Sequence, residues 1–288
     1  MSNCGETDAI WRLAMGNAGG CGLADHPNYT DNNINMPPQD QERWTCGVNG
    51  DIALDLRSAS DAKICNSWST EGSCQFPMNK LMKLQATLES SGCQGLWAAP
   101  LWISPQNWIP DQWQSGEIDI FERGCIKQDG YLTSFGNIDS AIKHDSWKQQ
   151  GQGFQEDSTS LTAYITFSPG AYDNPDAPGS PDQVAIYRCA KGANPIEDGD
   201  VRGCDVTLYN SYYKDTKDHT KSGTQLMTLI SDVWNQPNQG CTGTSALDKS
   251  NCNFKVSDIK LQFTEDWPSP FQGGNAQCDA IWHKVNSP

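Results

Sequence analysis

Short runs in which apolar and polar residues alternate recur along the whole chain, and no stretch shows a sustained 3.6-residue period. That pattern predicts strands with one face packed and the other polar. Ile52–Leu56, Leu161–Phe167 and Gln183–Tyr187 alternate most cleanly. Leu81–Leu88, Gly95–Ile103, Gly116–Glu122, Gly130–Gly136, Val206–Tyr213, Gln225–Trp234, Asn253–Phe263 and Ala280–Lys284 complete a set of short strand candidates. Between them lie turn-rich stretches: residues 1–50, the polar loop Asp61–Phe76, the Pro-rich connection Pro105–Gln114, and Ser168–Asp182. Many short strands separated by such turns predict an all-β chain folded as a β-jelly-roll sandwich of two antiparallel sheets. No internal repeat or low-complexity linker marks a boundary, so residues 1–288 read as a single domain.

Composition narrows the partner. A formal net charge of −15 is the wrong sign for a nucleic-acid backbone and disfavours anionic polysaccharides, leaving neutral polymers as easier ligands. No apolar run approaches the roughly 18 residues of a membrane-spanning helix, so no membrane role is expected. Twelve cysteines with no Cys-x-x-Cys pair argue against zinc ribbons and thioredoxin-type redox sites. They predict disulfides formed in an oxidising compartment, with Cys4, Cys21 and Cys46 pinning the irregular N-terminal region. Met1–Gly20 has neither a basic region nor a long apolar stretch, so the chain reads as the mature form of a secreted protein. The sequon at Asn28 fits that location.

The most informative run is Gly116–Glu122, Gly-Glu-Ile-Asp-Ile-Phe-Glu. In a regular strand Glu117 and Asp119 share a face, while Glu122 falls on the other. One bulged residue, Ile120 or Phe121, restores the parity and brings all three acids to one surface. The two glutamate α-carbons would then lie roughly 14–16 Å apart at about 3.3 Å per residue. Side chains leaning inward approach the roughly 5–5.5 Å separation of a retaining glycosidase pair. The spacing alone is a weak signal, expected by chance about 0.5 times in a chain this acidic. Its context is stronger: three like charges on neighbouring positions repel, and a purely structural strand has little reason to keep them. Trp97, Trp102, Trp108 and Trp113 lie just upstream, and Trp102, Trp108 and Trp113 are candidates to stack on sugar rings. The four histidines are scattered, and no serine–histidine–acid set or phosphate loop appears.

This run resembles the active-site signature of glycoside hydrolase family 16, in the bulged version of its laminarinase-type β-1,3-glucanases. Gly95–Ile103 (GLWAAPLWI) is similar to that family's preceding Trp-rich strand, with its tryptophans spaced one residue further apart than usual. Lys80–Glu89, Leu226–Trp234 and Asn253–Gln262 resemble flanking strands, so the likeness spans most of the chain. The resemblance implies a concave substrate cleft and a retaining, endo-acting β-glucanase that takes a neutral β-glucan with β-1,3 linkages. Glu117 would be the nucleophile, Glu122 the general acid/base and Asp119 the assisting carboxylate. It implies no catalytic cofactor; calcium is common in the family, and no spacing here identifies a site. A secreted monomer is expected. Two alternatives stay open: a transglycosylase using the same acids, and a lectin-like module that binds without turnover.

Overall fold

The computed structural model describes residues 2–4, 10–13, 43–55, 65–70, 73–77, 81–91, 97–105, 117–126, 130–139, 158–168, 183–210, 226–234, 253–263 and 281–282. In chain order the strands are β1 (Ser2–Asn3), β2 (Arg12–Leu13), β3 (Trp44–Cys46), β4 (Ile52–Asp55), β5 (Cys65–Ser69), β6 (Phe76–Pro77), β7 (Leu81–Ser91) and β8 (Trp97–Pro105). They continue with β9 (Glu117–Ile126), β10 (Gly130–Asp139), β11 (Ser158–Ser168), β12 (Gln183–Ala190), the short helix α1 (Pro195–Asp198), β13 (Asp205–Asn210), β14 (Leu226–Trp234) and β15 (Asn253–Phe263). They form two antiparallel sheets. One runs β1-β3-β4-β15-β7-β11-β12-β13, the other β10-β9-β8-β14-β5-β2 with β6 added on β14. We call them the outer and the site sheet. Sequence neighbours repeatedly fall in different sheets, as the two-sheet jelly roll predicted from the alternation requires.

The sheets share one apolar core. Leu84, Ala86, Leu88, Ile165, Phe254 and Leu261 enter it from the outer sheet, and Leu101, Ile103, Ile120, Phe121 and Leu229 from the site sheet. Each of the leucine, isoleucine and phenylalanine side chains among them contributes roughly 1.5–3 kcal/mol by leaving water. Two aromatic pairs add directional contacts. Trp44 meets Phe254 edge-on with centroids 5.4 Å apart, and Phe76 reaches across the sandwich to Phe263 at 5.7 Å. The Trp11 indole also ties the sheets, donating to the Gly50 carbonyl at 2.8 Å. Gly50 sits at φ +89°, and a Cβ there would meet Ile281 Cγ2 at 2.3 Å, so the turn before β4 demands glycine.

Several elements differ from expectation. The polar loop predicted over Asp61–Phe76 contains β5, and the irregular N-terminal region contains β1, β2 and β3. Both N-terminal pieces are fixed from outside: β5 by pairing with β14, β3 by pairing with β4 and by the Cys4–Cys46 disulfide. That crosslink closes 42 residues, worth about 4 kcal/mol in chain entropy. The strand predicted over Ala280–Lys284 is described only as the isolated bridge Leu261–Trp282. A second disulfide, Cys189–Cys204, holds the segment carrying α1 against the outer sheet. There Gln85, fully buried, donates to Asn194 at 2.9 Å and Asp258 at 3.2 Å, and accepts from the Ile196 backbone at 3.0 Å. None of the described cysteines is free. Among the described residues no helix is long and apolar enough to cross a membrane.

Candidate active site

The strand that carries the three acids, β9, lies between β8 and β10 in the site sheet. Its pairing with β8 is not uniform. Ile103 opposes Ile118 and Trp102 opposes Asp119, but the next pair is Leu101 with Phe121, so Ile120 is passed over. Ile120 and Phe121 are consecutive, and both are buried in the main core. A regular strand cannot send successive side chains to one face. The strand therefore carries a β-bulge at Ile120, one of the two positions the sequence allowed. Positions 117 and 119 precede the bulge and position 122 follows it. With the phase shifted by one residue between them, all three fall in the phase opposite the core.

The neighbouring strand adapts as well. Between Ala98–Arg123 and Leu101–Phe121, β8 has one residue more than β9. The same offset appears against β14, between Trp102–Ile230 and Ala99–Asp232. The extra residue falls at Pro100–Leu101, which explains the wide spacing of Trp97 and Trp102: the strand bulges between them. Proline suits such a position because it has no N–H to give the ladder.

Which face of the site sheet these positions occupy follows from burial. Ala98, Leu101, Ile103 and Leu229 belong to the main core, whereas Ala99, Trp102 and Ile230 form a separate cluster. Directly opposed residues share a face, so Trp102 places Asp119 on its own side, away from the core. On the other flank of β9, Asp139 opposes Glu117, Asn137 opposes Asp119 and Ser134 opposes Glu122, with no offset. The result is one face of the site sheet on which the three acid positions share register with polar positions of β10 and flank the buried cluster Ala99, Trp102 and Ile230.

Trp102 is only 5% exposed and packs with Ala99 and Ile230. Its ring is therefore largely covered, and its indole N–H has no hydrogen-bond acceptor among the described residues. A buried donor without a partner carries a desolvation penalty of about 1–3 kcal/mol. Trp108 and Trp113, the other two stacking candidates, lie outside the described residues. Among the described side chains no group of three or more His, Cys, Asp or Glu is placed to hold a metal. Sequence reasoning missed Ser134, Asn137, Asp139 and Asp232 as members of this face. Their polar character was visible, but their membership depends on strand pairing, which the chain does not spell out locally.

No family model matches the sequence, and neither does any curated protein. Solved structures do. The chain is similar in structure to a laminarinase from Flavobacterium sp. UMI-01, with a TM-score of 0.50 at 15% identity, covering 88% of this chain and 92% of that one. It is also similar to SCLam, a non-specific endo-β-1,3(4)-glucanase from family GH16 co-crystallised with 1,3-β-D-cellotriosyl-glucose. There the TM-score is 0.50 at 13% identity, covering 92% of this chain and 91% of that one. At these identities the likeness establishes a common fold over nearly the full length of both partners.

Proposed function

We propose that the protein is a retaining, endo-acting glycoside hydrolase that cleaves a neutral β-glucan containing β-1,3 linkages. The observation that carries this reading is the bulge at Ile120. It gives positions 117, 119 and 122 one phase of β9, on the side of the site sheet where Trp102 lies. The acid spacing alone is a weak signal. A backbone irregularity that unites them is the arrangement a paired-carboxylate mechanism needs. Support also comes from the solved enzymes that share the fold, a laminarinase and an endo-β-1,3(4)-glucanase. The net charge of −15 favours an uncharged polymer.

In this reading ionised Glu117 attacks the anomeric carbon, and the bond to the leaving oxygen breaks as Glu122 protonates it. A covalent glycosyl-enzyme results. Glu122, now a carboxylate, removes a proton from an incoming water, which displaces Glu117 and releases the sugar with its configuration retained. Asp119, between the two, hydrogen-bonds and steadies Glu117. Trp102 contributes its N–H to the site rather than an open ring face, and Trp108 and Trp113 supply stacking surfaces for the polymer. The disulfides suit secretion into an oxidising space, where such a polymer would be met.

The test is chromatographic product analysis on laminarin, mixed-linkage β-glucan, cellulose oligomers and agarose, with Glu117→Gln alongside. Oligosaccharides from a β-1,3-containing glucan, absent with the variant, are expected, and NMR should show the β-anomer formed first. Inversion at the anomeric carbon would refute the double displacement. Longer products formed by transfer to sugar acceptors would identify a transglycosylase. Binding without any product would identify a lectin.

A further inference from the structure

The turn between β3 and β4 carries chemistry that the site does not use. It reads Gly47-Val48-Asn49-Gly50-Asp51, and Asn49–Gly50 is the single Asn-Gly pair in the chain. Two backbone bonds close it: the Gly47 N–H donates to the Asp51 carbonyl at 2.9 Å, and the Gly50 N–H to the Gly47 carbonyl at 3.1 Å. Val48 and Asn49 are exposed at its tip. A hairpin tip made of exposed residues opens locally at little cost. The Asn49 side chain folds back along the chain, its Oδ1 accepting from the Asp51 N–H at 3.4 Å. Gly47 leaves the room for this, because a Cβ there would meet Asn49 Oδ1 at 2.4 Å.

An asparagine bonded to the amide two residues on bridges the peptide between them. The carboxamide carbon of Asn49 and the nitrogen of Gly50 then need one new bond to close a five-membered ring. The Asp51 N–H polarises the carboxamide oxygen and is already in place for the negative charge that such an attack would put there. Glycine has no Cβ to shield its nitrogen, and the fold accepts no other residue at position 50: φ is +89°, and a Cβ would collide with Ile281. The same residue ties the two sheets. Its carbonyl accepts from the fully buried Trp11 indole at 2.8 Å, and its Cα is wedged against Ile281 without slack.

We propose that Asn49 is a site of spontaneous modification, a succinimide-forming asparagine whose isoaspartyl product unfastens the Trp11–Gly50 tie between the sheets. The Gly50 nitrogen gives up its proton and attacks Asn49 Cγ. The Cγ–Nδ2 bond breaks, and the side-chain nitrogen leaves as ammonia with that proton. Water then opens the succinimide at either carbonyl. Opening at Cγ gives aspartate and leaves the chain path unaltered. Opening at the backbone carbonyl gives isoaspartate, in which the main chain runs through Cβ and Cγ and is one carbon longer. Lengthening the chain just before a residue that has no slack draws the Gly50 carbonyl away from Trp11 and breaks a buried hydrogen bond. Both products also add one negative charge beside Asp51. The inference stands independently of the glycosidase reading.

The experiment ages the folded protein in warm, mildly alkaline buffer and follows it by tryptic mass spectrometry after reduction and by thermal unfolding. Cleavage after Arg43 and Arg57 releases Trp44–Arg57, in which Asn49 is the sole side-chain amide. A mass gain equal to exchanging the amide group for a hydroxyl therefore reports on Asn49 alone. That gain is expected in the folded protein, with part of the product methylated by an isoaspartate methyltransferase. The isoaspartyl fraction, enriched by ion exchange, should lose roughly 3–10 °C in Tm. Asn49→Asp adds the charge and keeps the chain path, and should stay within roughly 2 °C of the fresh protein. Asn49→Gln would have to close a larger ring, and should keep both its mass and its Tm on ageing. A constant Trp44–Arg57 mass in the folded protein would overturn the proposal, and a gain confined to protein in guanidinium would show that the fold protects Asn49. An isoaspartyl fraction as stable as Asn49→Asp would overturn the unfastening.

Discussion

Trp102 and Asp119 stand directly opposite one another across the β8–β9 ladder, at the last regular pair before Ile120 is passed over. That register pairs the acid position proposed to steady the nucleophile with a tryptophan whose buried indole N–H has no acceptor among the described residues. Trp102→Phe keeps an aromatic ring and removes the donor. If the N–H serves the site, kcat/KM should fall about three- to tenfold, the worth of one ordinary hydrogen bond, without a fall in Tm. Unchanged activity with a higher Tm would mean that the donor is merely an unrelieved burial penalty.

The bulge itself can be removed. Deleting Ile120 puts position 122 out of phase with positions 117 and 119, which would separate the proposed nucleophile from its acid. Loss of general acid catalysis alone is worth about 10²–10⁴-fold, so laminarin hydrolysis should drop by at least that much. Ile120→Val is the control. It keeps the chain length, costs about 0.5–1.5 kcal/mol in core packing, and should retain activity. Equal activity in the two variants would remove the bulge from the mechanism.

Gln85 offers the opposite case, a fully buried polar side chain on the outer sheet. Gln85→Ala strands the Ile196 N–H and loosens the segment held by the Cys189–Cys204 disulfide. Denaturant unfolding should show a loss of about 1–3 kcal/mol. Hydrolysis should stay within twofold, because the site lies on the other sheet. A large fall in kcat in a folded variant would show that the two sheets are coupled.

Alkaline stability should report on Tyr164, which neighbours Gln85 on the same sheet. Burial, and then the adjacent Tyr187, push its hydroxyl above the ordinary value of 10.0. The folded state therefore holds this proton more tightly than the unfolded chain. The associated stability is complete below pH 10.0 and is lost as pH rises from there through the raised folded value. Tm measured between about pH 9 and 12 should fall less steeply in Tyr164→Phe, which has no proton to lose. Parallel curves would show that Tyr164 does not titrate during alkaline unfolding.

How much of this was legible beforehand depended on length and on side-chain contrast. The strands β11 and β12 alternate clearly, because a sheet with one packed face imposes a two-residue period. Cys65–Ser69 reads Cys-Asn-Ser-Trp-Ser, too polar to declare itself, and becomes a strand because β14 supplies its partners. Trp44–Cys46 and Pro195–Asp198 are too short for any periodicity to show. At the site, the acids and the need for one bulged residue could be read from parity alone. The choice of Ile120 could not, since it is set by the register with β8. The place of Asp232 on that sheet face was invisible for a similar reason: it lies far from β9 in sequence, and the connection runs through Ala99 on an intervening strand.

The two flanks of β9 differ in a way that bears on design. Toward β10 the register keeps one offset from Glu117–Asp139 to Ile126–Gly130, with no Gly136–Ile120 pair at the bulge, while toward β8 it slips by one residue. The two strands of the hairpin therefore cross the bulge in step, and the one-residue slip lies in the seam with β8. Grafted onto another sandwich, residues 117–139 would carry the acidic face along intact, and the host would have to supply a single strand edge with the compensating offset. Transplanting this chemistry becomes a problem of matching one seam rather than rebuilding a sheet.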